Sequence, residues 1–127
     1  MFQIAVQTEF CAAHALTIAG LVEPVHGHNW RVTAVIAGDA LDADGLLCDF
    51  HTVEAVLRDI TAAWNNRNLN DSEAFNRTSP TAENVAKVIA DSLAERLNGS
   101  LAPHAWVASV SVTEAPGCVA TYLRPHP

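Results

Sequence analysis

The chain has 127 residues, half of them apolar, and a formal net charge of −7. That length fits one domain, residues 1–127, with a real core. The acidic balance argues against nucleic acid and against anionic membrane surfaces, since both are bound through basic patches. No apolar run reaches the roughly 18 residues that span a bilayer, and Met1 to Ile4 lack the basic-then-apolar order of a signal peptide. The three cysteines, Cys11, Cys48 and Cys118, are odd in number and widely spaced, with no C-x-x-C pair. Such usage is expected in a reducing, cytoplasmic setting rather than in a disulfide framework, and each thiol by itself reads as structural.

Phe2 to Ala13 reads as a first strand, with Phe10, Ala12 and His14 on one face and Glu9, Cys11 and Ala13 on the other. Ala15 to Val25 reads as a loop, marked by Gly20 and Pro24. His28 to Ala37, rich in β-branched residues, is a second strand. Pairing the two antiparallel brings His14 and His26, at the two ends of the loop, together. Gly38 to Gly45 is turn chemistry; its acids match neither the spacing nor the closing bidentate glutamate of a calcium loop. Asp49 can N-cap a helix whose apolar stripe is Val53, Val56, Leu57, Ile60 and Trp64, ending near Trp64. Asn65 to Asp71 is a polar loop. Thr81 caps a second helix, with Glu83 in its first turn, Val85, Val88, Ile89, Leu93 and Leu97 as its stripe, and Gly99 as the C-terminal cap. Trp106 to Thr113 and Val119 to Leu123 are third and fourth strands, joined by the Ala115-Pro116-Gly117 turn. The order ββααββ is α+β: a four-stranded antiparallel sheet with two helices on one face. Long strands with free edges invite further pairing, which self-assembly into a closed ring would satisfy.

Chemistry concentrates at His26-Gly27-His28. Residues two apart on a strand share a face, so both imidazoles can aim at one point, and His14 can supply the third. Three such imidazoles make the open tripod of a catalytic zinc; read one at a time, each is an ordinary core or surface histidine. His51, His104 and His126 show no such convergence and read as surface residues. Glu114, ending the third strand, is either a solvated end residue or an anchor that takes N–H donors from a heterocycle in charge-assisted pairs.

Phe10-Cys11-Ala12-Ala13-His14 followed by His26-Gly27-His28-Asn29-Trp30 resembles the 6-pyruvoyl-tetrahydropterin synthase and 6-carboxy-tetrahydropterin synthase family. So do Leu47-Cys48-Asp49-Phe50, Leu69-Asn70, Pro80-Thr81-Ala82-Glu83-Asn84 and Val112-Thr113-Glu114. The resemblance runs almost the full length, in the family's order and spacing. It implies the tunnelling fold, in which a trimer closes a twelve-stranded barrel and two trimers stack into a homohexamer with sites between subunits. It implies zinc on His14, His26 and His28, Glu114 anchoring a pterin-like ligand, Thr81 helping to hold the ring, and 7,8-dihydroneopterin triphosphate as the usual substrate.

The departures are as informative. Family members abstract a side-chain proton with a cysteine a few residues before the H-G-H motif, whereas Leu21 to Val25 contains none. They also carry an Asp-His pair where this chain has Asn65 and Asn66, and asparagine neither donates nor takes a proton in this pH range. Glu23 stands three residues before His26, where one subgroup has a glutamate in place of the cysteine and cleaves the side chain to 6-hydroxymethyl-dihydropterin. Alternatively, Glu23 is a solvated loop residue. Cys11 lies on the wrong strand face to substitute, and Cys48 has no evident partner. The expectation is therefore a protein that binds a pterin or pterin-like heterocycle with standard synthase activity absent or low. The alternatives are a Glu23-dependent lyase and a non-catalytic pterin-binding protein with a degenerate metal site.

Overall fold

The sheet is built outward from two long strands. In a computed structural model describing residues 1–127, β1 (Phe2–His14) lies antiparallel to β4 (His26–Gly38) in one unbroken register, from Phe2 opposite Gly38 to His14 opposite His26. Alternation along both strands explains the pairing: Val6, Phe10, Ala12 and His14 on β1, and Trp30, Val32, Ala34 and Ile36 on β4, are all buried on one face. β6 (Ala105–Ala115) pairs antiparallel with the far side of β4, and β7 (Cys118–Leu123) with β6. Helices α1 (Phe50–Ala62) and α2 (Ala82–Leu101) cover the apolar face. Val53 and Leu57 from α1 and Val85, Ile89, Leu93 and Leu97 from α2 join the strand residues in one contiguous core. None of the helices is long and apolar enough to cross a membrane.

Both expected helix starts hold. The Asp49 carboxylate accepts from the His51 amide at 2.8 Å, and the Thr81 hydroxyl accepts from the Asn84 amide at 3.1 Å. The ends differ from expectation. α1 stops at Ala62, and Trp64 instead turns its ring into the core beside Phe10 and Phe75, with centroids 5.8 and 5.5 Å away. α2 runs through Gly99 to Leu101, because Leu97 and Leu101 both reach the core and burying the last leucine favours another turn. Gly99 is thus a helical residue, not a cap.

The connections hold two further surprises. The segment after β1 is not a plain loop: β2 (Thr17–Ile18) and β3 (Leu21–Val22) form a small hairpin. Its two central residues, Ala19 and Gly20, both have positive φ, +52° and +80°, as the tightest hairpin turns require. The sheet also has five strands rather than four, because β5 (Arg67–Asn68) runs parallel to β1 at Ala12 and Ala13. On β6 the register with β4 shifts between Val35, opposite Ser109, and Ile36, opposite Val107. Ala108 is the extra residue, so β6 carries a bulge. Gly117, with φ +83°, closes the β6–β7 hairpin after Pro116.

Gly38, at the end of β4, is constrained by space and not by φ. A Cβ there would lie 2.2 Å from the His104 carbonyl oxygen and 2.7 Å from Leu47 Cδ1. Gly99 has nothing within 4 Å of the same position. Two substitutions therefore move stability in opposite directions. Gly38→Ala is expected to cost about 1–3 kcal/mol through overpacking, while Gly99→Ala is expected to stabilise by about 0.4–1 kcal/mol as a helix-interior replacement. Urea unfolding midpoints check both; a destabilising Gly99→Ala would mean that Gly99 is a left-handed cap after all.

Candidate metal centre

The β1–β4 register assembles the site without help from loops. His14 faces His26 directly, and His28 faces Ala12, so the three imidazoles share the helix-covered face at one end of the sheet. Their ring centroids are 4.7 to 5.1 Å apart, each pair edge-to-face. Below them Trp30 forms a floor. Its ring is edge-on to His14 at 4.9 Å, stacks on Phe10 at 5.9 Å, and its indole N–H donates to the Ala12 carbonyl at 3.0 Å.

Two main-chain carbonyls orient the imidazoles. His14 Nδ1 lies 2.8 Å from the Pro80 oxygen, and His26 Nδ1 lies 2.9 Å from the Pro24 oxygen. A carbonyl can only accept, so each Nδ1 carries the hydrogen and, in a neutral ring, each Nε2 presents a lone pair. Those two Nε2 atoms are 3.1 Å apart. Lone pairs at that distance repel unless a proton or a cation lies between them. His28 Nε2 is buried and has no hydrogen-bond partner, a costly state for a polar atom. Burial lowers the His28 pKa; the Glu114 carboxylate opposes that shift, and His14 and His26 reinforce it. His28 is therefore neutral at pH 7, as a metal ligand must be.

Glu114 completes the cluster. Its Oε1 lies 2.8 Å from His14 Nε2 and 3.3 Å from His28 Nε2, although the latter approach lacks hydrogen-bond geometry. The ligand atoms of His14, His26, His28 and Glu114 all fall within 4.8 Å of one another. Three imidazoles oriented by carbonyls, one orphaned ring nitrogen and a carboxylate form a donor set that can hold a metal ion.

The sequence points to the three histidines but not to Glu114 touching them, nor to the Pro80 and Pro24 carbonyls behind them. The remaining candidates lie around this centre. Glu23 Oε1 is 3.0 Å from the Leu16 amide, which donates to it, and 3.7 Å from His26 Nε2. Thr81 spends its hydroxyl on the α2 cap, one residue after Pro80. A groove of about 460 Å³ opens beside Glu114, lined by His28, Asn29, Arg31, Thr113 and Pro116 among others, within the range of small-ligand sites. A slightly larger hollow of about 520 Å³, between the end of α1 and Asp71, contains none of the cluster residues.

Other groups are structural. Asn65 accepts from the Cys11 amide at 2.9 Å through its side chain, and the Asn66 amide donates to the Cys11 carbonyl. Both asparagines therefore secure the outer edge of β1. Cys11 is exposed on the opposite face from His14. Burial, with Asp49 and Asp42 nearby, pushes the Cys48 thiol pKa up, the reverse of what a nucleophile needs. His104 donates its ring Nε2–H to the Leu47 carbonyl at 3.0 Å, and His126 packs on Trp106 with centroids 4.0 Å apart.

Comparison with known proteins places this geometry. A family model described as 6-pyruvoyl tetrahydropterin synthase matches residues 3–125. The 6-carboxy-5,6,7,8-tetrahydropterin synthase of Bacillus subtilis (strain 168) is 29% identical over 132 residues, covering 99% of this chain and 80% of that protein. Among solved structures, the 6-pyruvoyl tetrahydropterin synthase of Caenorhabditis elegans superposes with a TM-score of 0.82 at 24% identity, covering 98% of this chain and 96% of that one. A Plasmodium vivax 6-pyruvoyltetrahydropterin synthase, solved as a variant with a catalytic glutamate replaced by alanine, gives 0.78 at 20% identity over 97% of each chain. At those identities the structural matches speak for the fold, two helices on a mostly antiparallel sheet in the tunnelling arrangement. With the family model matched from residue 3 to residue 125, the chain belongs to the 6-pyruvoyl tetrahydropterin synthase family.

Proposed function

We propose that the protein binds a pterin or pterin-like heterocycle at a zinc centre held by His14, His26 and His28, and that it carries out the standard 6-pyruvoyl synthase reaction poorly or not at all. The observation that carries the metal half is the convergence of Nε2 atoms whose opposite ring nitrogens are already engaged by Pro80 and Pro24. All-imidazole ligation favours zinc, and a bound zinc ion supplies Lewis-acid polarisation of substrate oxygen atoms. Glu114, at the groove mouth, anchors the heterocycle through its N–H donors, and Thr81 supports the ring. The loss of synthase chemistry follows from Asn65 and Asn66, which hold backbone instead of moving protons, and from the unreactive Cys48.

A second reading has its own support. Glu23 stands 3.7 Å from His26 Nε2 and half-exposed, a position from which a carboxylate can take a proton near the metal. One relative, the Plasmodium vivax synthase, has a catalytic glutamate. On this reading Glu23 is the base of a side-chain lyase giving 6-hydroxymethyl-dihydropterin. The third possibility is binding without turnover. The outer edges of β7 and of β1 before Cys11, which have no strand partner, suit closure of a trimeric barrel and its stacking into a homohexamer, with the sites between subunits, in the cytoplasm.

Three outcomes separate these readings when 7,8-dihydroneopterin triphosphate is incubated with the zinc-loaded protein. The expected one is formation of the 6-pyruvoyl product slowed by about 10²–10⁴-fold relative to family members with the full proton-transfer set; robust formation would sink the proposal. Release of 6-hydroxymethyl-dihydropterin that falls by a similar factor in Glu23→Ala supports the lyase, and release unchanged by that substitution eliminates Glu23 as base. Tight pterin binding with no product leaves a binding protein.

The metal carries a separate test. Zinc analysis of the purified protein is expected to show bound metal that His14→Ala abolishes. In the metal-free protein the His28 pKa is lowered on folding, so the unfolded chain binds that proton more tightly. Stability should therefore fall as pH drops through about 6.5, a slope read from urea midpoints and flattened by His28→Ala.

A further inference from the structure

The chain carries 7 lysines and arginines against 14 carboxylates, so a basic side chain left without a partner stands out. Arg58, Lys87, Arg96 and Arg124 each pair with an Asp or Glu; Arg31, Arg67 and Arg77 do not. Arg31 shares its groove with Glu9 and Glu114, and Arg67 shares the hollow of about 520 Å³ with Asp71. Arg77 differs. Its hollow, of about 320 Å³, lies between the start of the β2–β3 hairpin and the loop entering α2, and no carboxylate lines it.

Thr17, Thr78 and Ser79 line the hollow beside Arg77. Their hydroxyls make no hydrogen bond within the protein, and the main-chain amides of Arg77, Thr78 and Ser79 donate to no protein acceptor. Three consecutive free amides, three hydroxyls and a guanidinium are the donor set for a phosphate-type oxyanion. The walls are held in advance. Asn70 clamps Ala15 with two bonds, accepting from its amide at 2.8 Å and donating to its carbonyl at 2.9 Å. On the loop side the Ser79 carbonyl accepts from the Thr81 amide and from the Asn84 side chain, both at 2.8 Å. Such preorganisation reduces the ordering that binding demands. The loop also feeds the N-terminus of α2, where the helix dipole favours negative charge. Two lining residues adjoin the metal centre: Ala15 follows His14, and the Pro80 carbonyl engages His14 Nδ1.

We propose that this hollow is a phosphate-binding site, separate from the histidine cluster, with Arg77 as its principal ligand. The phosphate is carried either by a ligand of the adjacent centre or by free inorganic polyphosphate; the recognising chemistry is the same. The first source rests on the proposed pterin reading, and the site itself does not.

Calorimetric titration of inorganic triphosphate into the full chain, freed of metal so that no ion takes up the anion, tests the site. Binding is expected, weakening with added salt. Arg77→Ala is expected to weaken it at least about tenfold, as loss of a charge-assisted hydrogen bond does, and Arg77→Lys, which keeps the charge, should recover part of the affinity. Arg67→Ala removes an equally unpaired arginine and should leave binding nearly unchanged. An equal loss in Arg67→Ala would reduce the effect to general charge and overturn the site, as would a folded wild type that takes up no triphosphate. Neopterin and its triphosphate separate the two sources. A loss in Arg77→Ala confined to the triphosphate form supports a phosphate carried by the ligand, whereas a loss seen only with inorganic triphosphate supports the free anion. If neopterin fails to bind while inorganic triphosphate binds as expected, the pterin reading falls and the phosphate site stands.

Discussion

The register of β1 on β4 is the constraint on which the molecule depends. Strand side chains alternate with a period of two, so a slip of one residue would carry Phe10, Ala12 and His14 to the open face of the sheet together. The apolar residues and the histidines share parity, which means the same burial that stabilises the core also aims the imidazoles. The Phe10–Trp30 stack and the bond from the Trp30 indole to Ala12 fix this register just below the centre. Each is worth on the order of 1 kcal/mol, and both would be lost on slipping.

The polar cluster sits on that frame as a concentration of acceptors. Three ring nitrogens and a carboxylate oxygen converge at one end of the helix-covered face, and the two carbonyls behind His14 and His26 commit the lone pairs inward. The protein supplies acceptors and leaves the compensating positive charge to be provided. Beside the cluster, Asn65 and Asn66 hold backbone: both engage Cys11, closing the edge of β1 where β5 begins.

Much of this is legible in the chain because it is local. Period-two alternation identifies both long strands and puts His14, His26 and His28 on one face, and Asp49 and Thr81 mark their helices through chemistry that needs only the next three residues. What escapes is what depends on distant partners. The β2–β3 hairpin has two-residue strands whose Ile18, Leu21 and Val22 point to solvent, so no alternation betrays it. Gly99 carries the usual sign of a helix end, but the core contact of Leu101 overrides it. The union of Glu114 with the histidines requires knowing the β6–β7 register, which no single strand reveals.

The bulge at Ala108 has a larger reach than its one residue. On β6 the core-facing residues are Ala105 and Val107 before it but Val110 and Val112 after it, opposite Ile36 on one side and Ala34 and Val32 on the other. The strand changes parity partway along. Trp106 is thereby released to the other face, where His126 covers it, and even-numbered Glu114 falls on the side of the histidines. One supernumerary alanine, six residues before Glu114 on the same strand, works as a phase shifter. It lets a single strand serve two arrangements, one that closes the bottom of the core and one that delivers a carboxylate to the top.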